Sequence, residues 1–163
     1  SEIYMGRYPY ELTPAEFDHQ FAEESAALGH RVPGAHVLGL LSGTIRPEMV
    51  AMLDRVKAAG YKVACLTNNM TLPRHDHDRE AELESIMARF DAIVESAKVG
   101  VRKPELRFYE IACELLDVQP HECVFLDDLG INLKPAAAMG MSTIKVLDAS
   151  QAIADLSALL GFE

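Results

Sequence analysis

Apolar residues recur along the chain with two different periods, and the change between them organises it. Residues 1–12 carry no clear period. "TPAEF" then opens a helix: Thr13 can cap it, Pro14 suits its first turn, and Glu16 completes a capping box. Phe17, Phe21 and Leu28 follow on one face at helical spacing, and Gly29 stops the run. "HVLGLLSG" predicts one or two further turns. "RPEMVAMLDRVKAAGYK" predicts a second strong helix, with Met49, Leu53 and Val56 inward and Gly60 as its stop. From Lys62 onward, short apolar runs alternate with amphipathic ones. "KVACLTN", "DAIVES", "ECVFLDD" and "STIKV" read as strands. "REAELESIMARF", "PELRFYEIACELLD" (Pro104 at its start), "NLKPAAAMG" and "SQAIADLSALLG" read as helices.

Strand and helix alternating through short links predict an α/β fold, with a parallel sheet covered by helices on both faces. Such sheets hold their ligands beyond the carboxyl ends of the strands. No internal repeat or low-complexity segment interrupts the pattern. The chain has 163 residues, enough for one domain with a core, and its 49% hydrophobic and 25% charged composition is that of a globular protein. The net charge of −10 argues against binding nucleic acid or an anionic membrane surface, but leaves room for a local site for a small anion. Cys65, Cys113 and Cys123 each sit in apolar runs and read as buried free thiols in a reducing compartment. No apolar run approaches the ~18 residues of a membrane span, and no signal peptide opens the chain, so the expected location is cytoplasmic.

"CVFLDDLGINLKP" poses the chemical question, because it ends an apolar strand in two adjacent carboxylates, Asp127 and Asp128. Like charges repel, more so in apolar surroundings, so a cation, backbone N–H donors or water must offset them. Two other segments end at the same predicted sheet edge. The first strand finishes in Thr67-Asn68, and "VGVRKPE" sets Lys103 before a helix expected to begin at Pro104. A hydroxyl, an amide and an ammonium can bind phosphate oxygens. Two carboxylates suit Mg²⁺, a hard ion that prefers oxygen, and Gly130 is expected to let the backbone turn tightly. Each clue alone has a bland reading: a turn-forming Thr-Asn, a solvated lysine, an Asp-Asp helix cap. Their common edge is what joins them.

The order "LTNN", "VGVRKPE", "VFLDDLGINLKPAAAMGM" resembles the second, third and fourth motifs of the haloacid dehalogenase-like (HAD) hydrolases. The likeness covers roughly residues 10–163. It implies a Rossmann-like core at 46–163 and part of a small helical cap at 1–45. It also implies Mg²⁺-dependent hydrolysis of a small phosphate monoester through a phospho-aspartate. By the same resemblance, Thr67 and Asn68 hold the transferring phosphoryl group, and Lys103 neutralises the nucleophile and the phosphate. Asp128 ligates Mg²⁺ with Asp127 beside it in the metal shell, and Asn132 orients a group in that shell.

One departure is large. HAD enzymes begin with a strand ending in D-x-D, whose first aspartate is the nucleophile. The only D-x-D in these 163 residues is Asp76-His77-Asp78, in a polar loop after the second motif. The sequence therefore reads as a core lacking its first strand, part of a longer parent and inactive alone. In this family the missing strand lies between those ending at Thr67 and Asp127. The slot is expected to close, or to be filled by residues 1–8, by a second chain, or by a separate N-terminal piece.

Other readings have specific marks. A haloacid dehalogenase shares the fold but attacks carbon without Mg²⁺. A receiver domain carries its acidic pair in the first strand, whereas here the pair comes last. A non-catalytic binding or scaffold module would keep the fold without turnover. "HDHD" (His75–Asp78) has the composition of a Zn²⁺ site, but in a polar loop it reads better as a border of the site or the start of the next helix. The oligomeric state is open, with a homodimer one candidate.

Overall fold

The computed structural model describes residues 14–41, 44–68 and 77–162. The chain divides into two compact units. One comprises Ser1–Ile45 and Asn69–His77, the other Arg46–Asn68 and Asp78–Glu163.

In the first unit, helix α1 (Pro14–Ala27) packs against α2 (Gly34–Leu41). Phe17, Ala22 and Ser25 are its buried positions, and Phe17 meets Phe21 with ring centroids 5.5 Å apart. Leu28, expected on the inner face, is 71% exposed because it lies beyond the last turn of α1. Ser25 joins the two ends of the connection: its Oγ accepts the Val32 N–H at 2.9 Å and donates to the Ala22 carbonyl at 3.1 Å. Asp18 Oδ1 accepts the Ala35 N–H at 2.7 Å, serving an unpaired donor in the first turn of α2. The helices approach so closely that a Cβ on Gly34 would lie 2.6 Å from the Asp18 Cα.

The second unit begins with α3 (Pro47–Ala58), which buries Met52 and Val56. Val56 is buried as expected, whereas the expected inner residues Met49 and Leu53 are only half-buried on the same face. Strand β1 (Ala64–Thr67) and helix α4 (His77–Met87) follow, then β2 (Ala92–Glu95) and a single turn, α5 (Ser96–Val99), which the sequence pattern did not predict. Helix α6 (Leu106–Leu116) starts two residues later than Pro104 suggested. A 3₁₀ turn at Pro120–Glu122 leads into β3 (Val124–Asp127), α7 (Gly130–Ala138), β4 (Ser142–Lys145) and α8 (Ala149–Leu160). Helix α8 is capped by Asp148, whose Oδ1 accepts the Gln151 N–H at 2.8 Å.

The strands form two parallel pairs. In one, Ala64 stands opposite Ala92 and Thr67 opposite Glu95; in the other, Val124 stands opposite Ser142 and Asp127 opposite Lys145. Among the described residues no ladder joins β1 to β3. The single sheet expected from the alternation is thus split at the place where the family pattern puts a further strand. The expected closure of β1 onto β3 is not what the described residues show, and residues 1–8 lie outside them. Strand β1 is half-buried throughout, as is β3 up to Asp127, whereas Val94 on β2 is fully buried.

Helices hold the two pairs together. Helix α6 packs on β1 and β2, α7 packs on β3 and β4, and the two helices touch. Their shared core is Val94, Phe108, Tyr109, Ala112, Cys113, Ala136 and Met141. On α6 the buried residues fall at i, i+1, i+4 and i+5 (Phe108, Tyr109, Ala112, Cys113), one continuous face of a helix. The far end of α6 is tied down by Lys62, whose Nζ donates to the Leu116 carbonyl at 2.6 Å.

Candidate active site

Strand β1 ends at Thr67, and Asn68 is the next residue. Its side-chain amide spans the gap to the segment after β2. Nδ2 donates to the Lys103 carbonyl at 2.9 Å, and Oδ1 accepts the Lys103 N–H at 2.9 Å. This two-point clamp fixes the backbone of Lys103, which precedes a cis peptide to Pro104. Glu105 steadies the same loop, its Oε1 accepting the Arg102 N–H at 3.1 Å.

From that position the Lys103 side chain reaches β3. Its Nζ lies 2.8 Å from Asp127 Oδ2 and 5.9 Å from the centre of the Phe125 ring. The ion pair is largely removed from water, with side-chain exposures of 13% for Lys103 and 4% for Asp127. Asp127 Oδ1 accepts two more donors, the Leu129 N–H at 2.8 Å and Asn132 Nδ2 at 2.9 Å. The Asp127 carboxylate therefore takes three hydrogen bonds, one of them from a cation.

The side-by-side aspartates consequently meet different surroundings. Asp127 is buried and paired, while Asp128 is exposed, with no hydrogen bond or ion pair holding it among the described residues. An ammonium, a backbone N–H, an amide and water together offset the repulsion that the sequence poses. Gly130 has no special role in this turn. It is the first residue of α7, lies outside the left-handed region, and would direct a Cβ into open space.

The structure thus brings together Asn68, Lys103, Asp127 and Asn132, places Asp128 at the exposed end of the same strand, and sets Thr67 beside Asn68. Asn68 differs in one respect from its expected part as a phosphate ligand: its oxygen and one amide hydrogen are committed to Lys103, leaving one amide hydrogen for a ligand. Cys65, one turn of the pleat inside Thr67, has its thiol pushed up by burial, against a lowering influence of Lys103. Of the HDHD loop, His75 and Asp76 lie outside the described residues, and His77 opens α4.

The donor set suits a magnesium ion better than a transition metal. No group of three or more His, Cys, Asp and Glu gathers among the described residues. Among the described residues Asp128 has an unpartnered carboxylate and Asp127 one unused lone pair, and Mg²⁺ is commonly held by one or two carboxylates with water completing its shell.

Sequence reasoning missed Tyr109. It is fully buried, and its hydroxyl donates to the Asn132 carbonyl at 2.7 Å. Burial first, and the Asp127 charge second, push its hydroxyl up to about 12. Its apolar helical neighbours gave it the look of a core residue, which its ring also is.

The model of the haloacid dehalogenase-like hydrolases matches residues 2–140. Bifunctional epoxide hydrolase 2 of Rattus norvegicus is 37% identical over 170 residues, covering 98% of this chain and 30% of the rat protein. The sesquiterpene phosphatase astK of Aspergillus oryzae is 30% identical over 152 residues, covering 92% of this chain and 75% of astK. Among solved structures, the magnesium complex of a HAD-family enzyme from Bacteroides thetaiotaomicron superposes with a TM-score of 0.64 at 22% identity, covering 97% of this chain and 79% of that one. The chain spans no more than 30% of the rat and mouse proteins it matches.

Proposed function

The chain belongs to the haloacid dehalogenase-like hydrolases, and from that premise we propose that it is part of a Mg²⁺-dependent phosphatase for a small phosphate monoester. The observation that carries this reading is the partly buried Lys103–Asp127 pair, 2.8 Å apart and clamped at the carboxyl edge of both strand pairs by Asn68 and Asn132. A fixed ammonium at that edge stabilises negative charge growing on a transferring phosphoryl group. Because Asn68 holds the Lys103 backbone, the charge is in place before substrate arrives and need not be organised during reaction. The free amide hydrogen of Asn68 and the Thr67 hydroxyl supply neutral donors for phosphate oxygens. Asp128, with Asp127, would hold Mg²⁺, which when bound neutralises charge on the phosphate. The likeness to astK, a phosphatase by name, points the same way.

The attacking carboxylate is assigned to a strand lying between β1 and β3, which the described residues do not supply. Its end would meet Lys103, the cation best placed to hold a carboxylate nucleophile ionised. A dehalogenase on the same fold would have no use for the second, exposed carboxylate of Asp128. A scaffold without turnover would not require a lysine buried against the strand edge.

The test compares two proteins with an aryl phosphate and Mg²⁺: these 163 residues alone, and the same chain carrying an upstream apolar strand that ends in D-x-D. The first is expected to be inert and the second to turn over and lose activity in excess chelator. Robust turnover by the first, with a trapped phospho-enzyme, would overturn the assignment and redirect attention to Asp76 and Asp78.

A further inference from the structure

We propose that Tyr109 is a positioning residue, setting Asn132 against Asp127 and so shaping the acidic pair; this rests on the metal-site reading above. Tyr109 touches both elements that build the pair. Its ring meets Phe125 edge-on, with centroids 5.3 Å apart and planes at 89°, and Phe125 lies two residues before Asp127 on β3. Positions i and i+2 of a strand share a face, so the ring packs on the same face that carries the carboxylate. Past that ring, the hydroxyl reaches the first turn of α7 and donates to the Asn132 carbonyl at 2.7 Å. Asn132 in turn donates from Nδ2 to Asp127 Oδ1 at 2.9 Å. One side chain therefore spaces β3 from α7 at the level of Asp127.

That turn of α7 has a reason to need an external tie. Pro135 lies inside the helix. It has no N–H, so the Ile131 carbonyl loses its intrahelical donor and the first turn is weakened. Phenylalanine at position 109 would satisfy every ring contact, including the edge-on packing with Phe108 at 6.4 Å. Only tyrosine adds the bond to α7. With its hydroxyl pushed up to about 12, Tyr109 keeps its proton at neutral pH and acts as a donor. A hydroxyl buried this deeply without a partner would be costly, which matches its finding one.

The test uses the 163-residue chain, Tyr109→Phe, and Val94→Ala as a control from the same core cluster that makes no bond to α7. The first readout is hydrogen exchange of the Asn132 side-chain amide, followed by NMR. Exchange is expected to be up to about tenfold faster in Tyr109→Phe, the scale of one net hydrogen bond, and unchanged in Val94→Ala. The second readout is the affinity for Mn²⁺, a paramagnetic stand-in for Mg²⁺, expected to be about tenfold weaker in Tyr109→Phe. Unchanged Asn132 exchange, an equal rise in Val94→Ala, or undiminished Mn²⁺ affinity overturns the proposal. A wild-type chain that takes up no Mn²⁺ instead refutes the metal-site reading, while the exchange comparison still decides the part played by Tyr109.

Discussion

Replacing Lys103 by methionine removes the only cation bonded to Asp127 among the described residues while keeping most of the side chain's volume. At 2.8 Å and an effective dielectric near 20, the pair's attraction is about 6 kcal/mol. Part of this is offset in the wild type, because the ammonium gives up hydration to reach 13% exposure. The variant leaves a carboxylate at 4% exposure, still served by Leu129 N–H and Asn132 Nδ2. Losing one partner of a buried pair generally costs about 3–5 kcal/mol. The two surviving donors should soften this to about 2–4 kcal/mol. Urea unfolding reads this directly: with a slope near 2 kcal/mol per molar, the midpoint should fall by roughly 1–2 M. Adding Asp127→Asn to Lys103→Met removes the stranded charge, and should restore at least about 1.5 kcal/mol as coupling energy in a double-mutant cycle. A midpoint shift below 0.2 M for Lys103→Met, or additive single effects, would refute the argument that this pair is a desolvated electrostatic unit.

Three further outcomes follow from neighbouring geometry. Asp128→Ala should leave thermal stability within about 0.5 kcal/mol of wild type, since the side chain is exposed and unpartnered among the described residues; calorimetry checks the first part, and loss of Mn²⁺ binding its proposed role. Gly34→Ala should destabilise the helical pair α1–α2 by roughly 1–3 kcal/mol, because the added methyl would stand 2.6 Å from the Asp18 Cα; a melt matching wild type would show that the helices can part without cost. Asp91 sits between Lys57 Nζ at 2.7 Å and the Val63 N–H at 2.8 Å, and its carboxyl is lowered from 3.8 chiefly by the Lys57 hydrogen bond. A depressed carboxyl stabilises the fold above its unfolded value and loses that contribution as pH falls through the lower folded value. Asp91→Asn should therefore flatten the stability profile only below about pH 4, and an unchanged acid limb in pH-dependent unfolding would argue against it.

Much of the secondary structure was legible because it is local. Capping, periodicity and stop residues act within a few positions, so α1, α3, α8 and all four strands appear close to where the pattern puts them. The single turn α5 escaped because four residues carry no period. Leu28, and Met49 and Leu53 on α3, were placed deeper than they lie because which face is covered depends on the neighbouring element.

The motif residues were also legible, since their types and order along the chain lie in the sequence itself. What they do to one another was not. Two adjacent aspartates look alike in sequence, and only the packing of α6 and α7 around β3 buries Asp127 and leaves Asp128 in water. The sequence shows Asn68 as a candidate ligand but not that its amide also closes on a backbone 35 positions away. Tyr109 reads as core until its hydroxyl is found on Asn132. The sequence by itself determined an α/β chain with an amide, an ammonium and two carboxylates near strand ends. The tertiary structure alone decided which carboxylate the ammonium meets, because burial and hydrogen-bond partners belong to the packing between elements and not to any one of them.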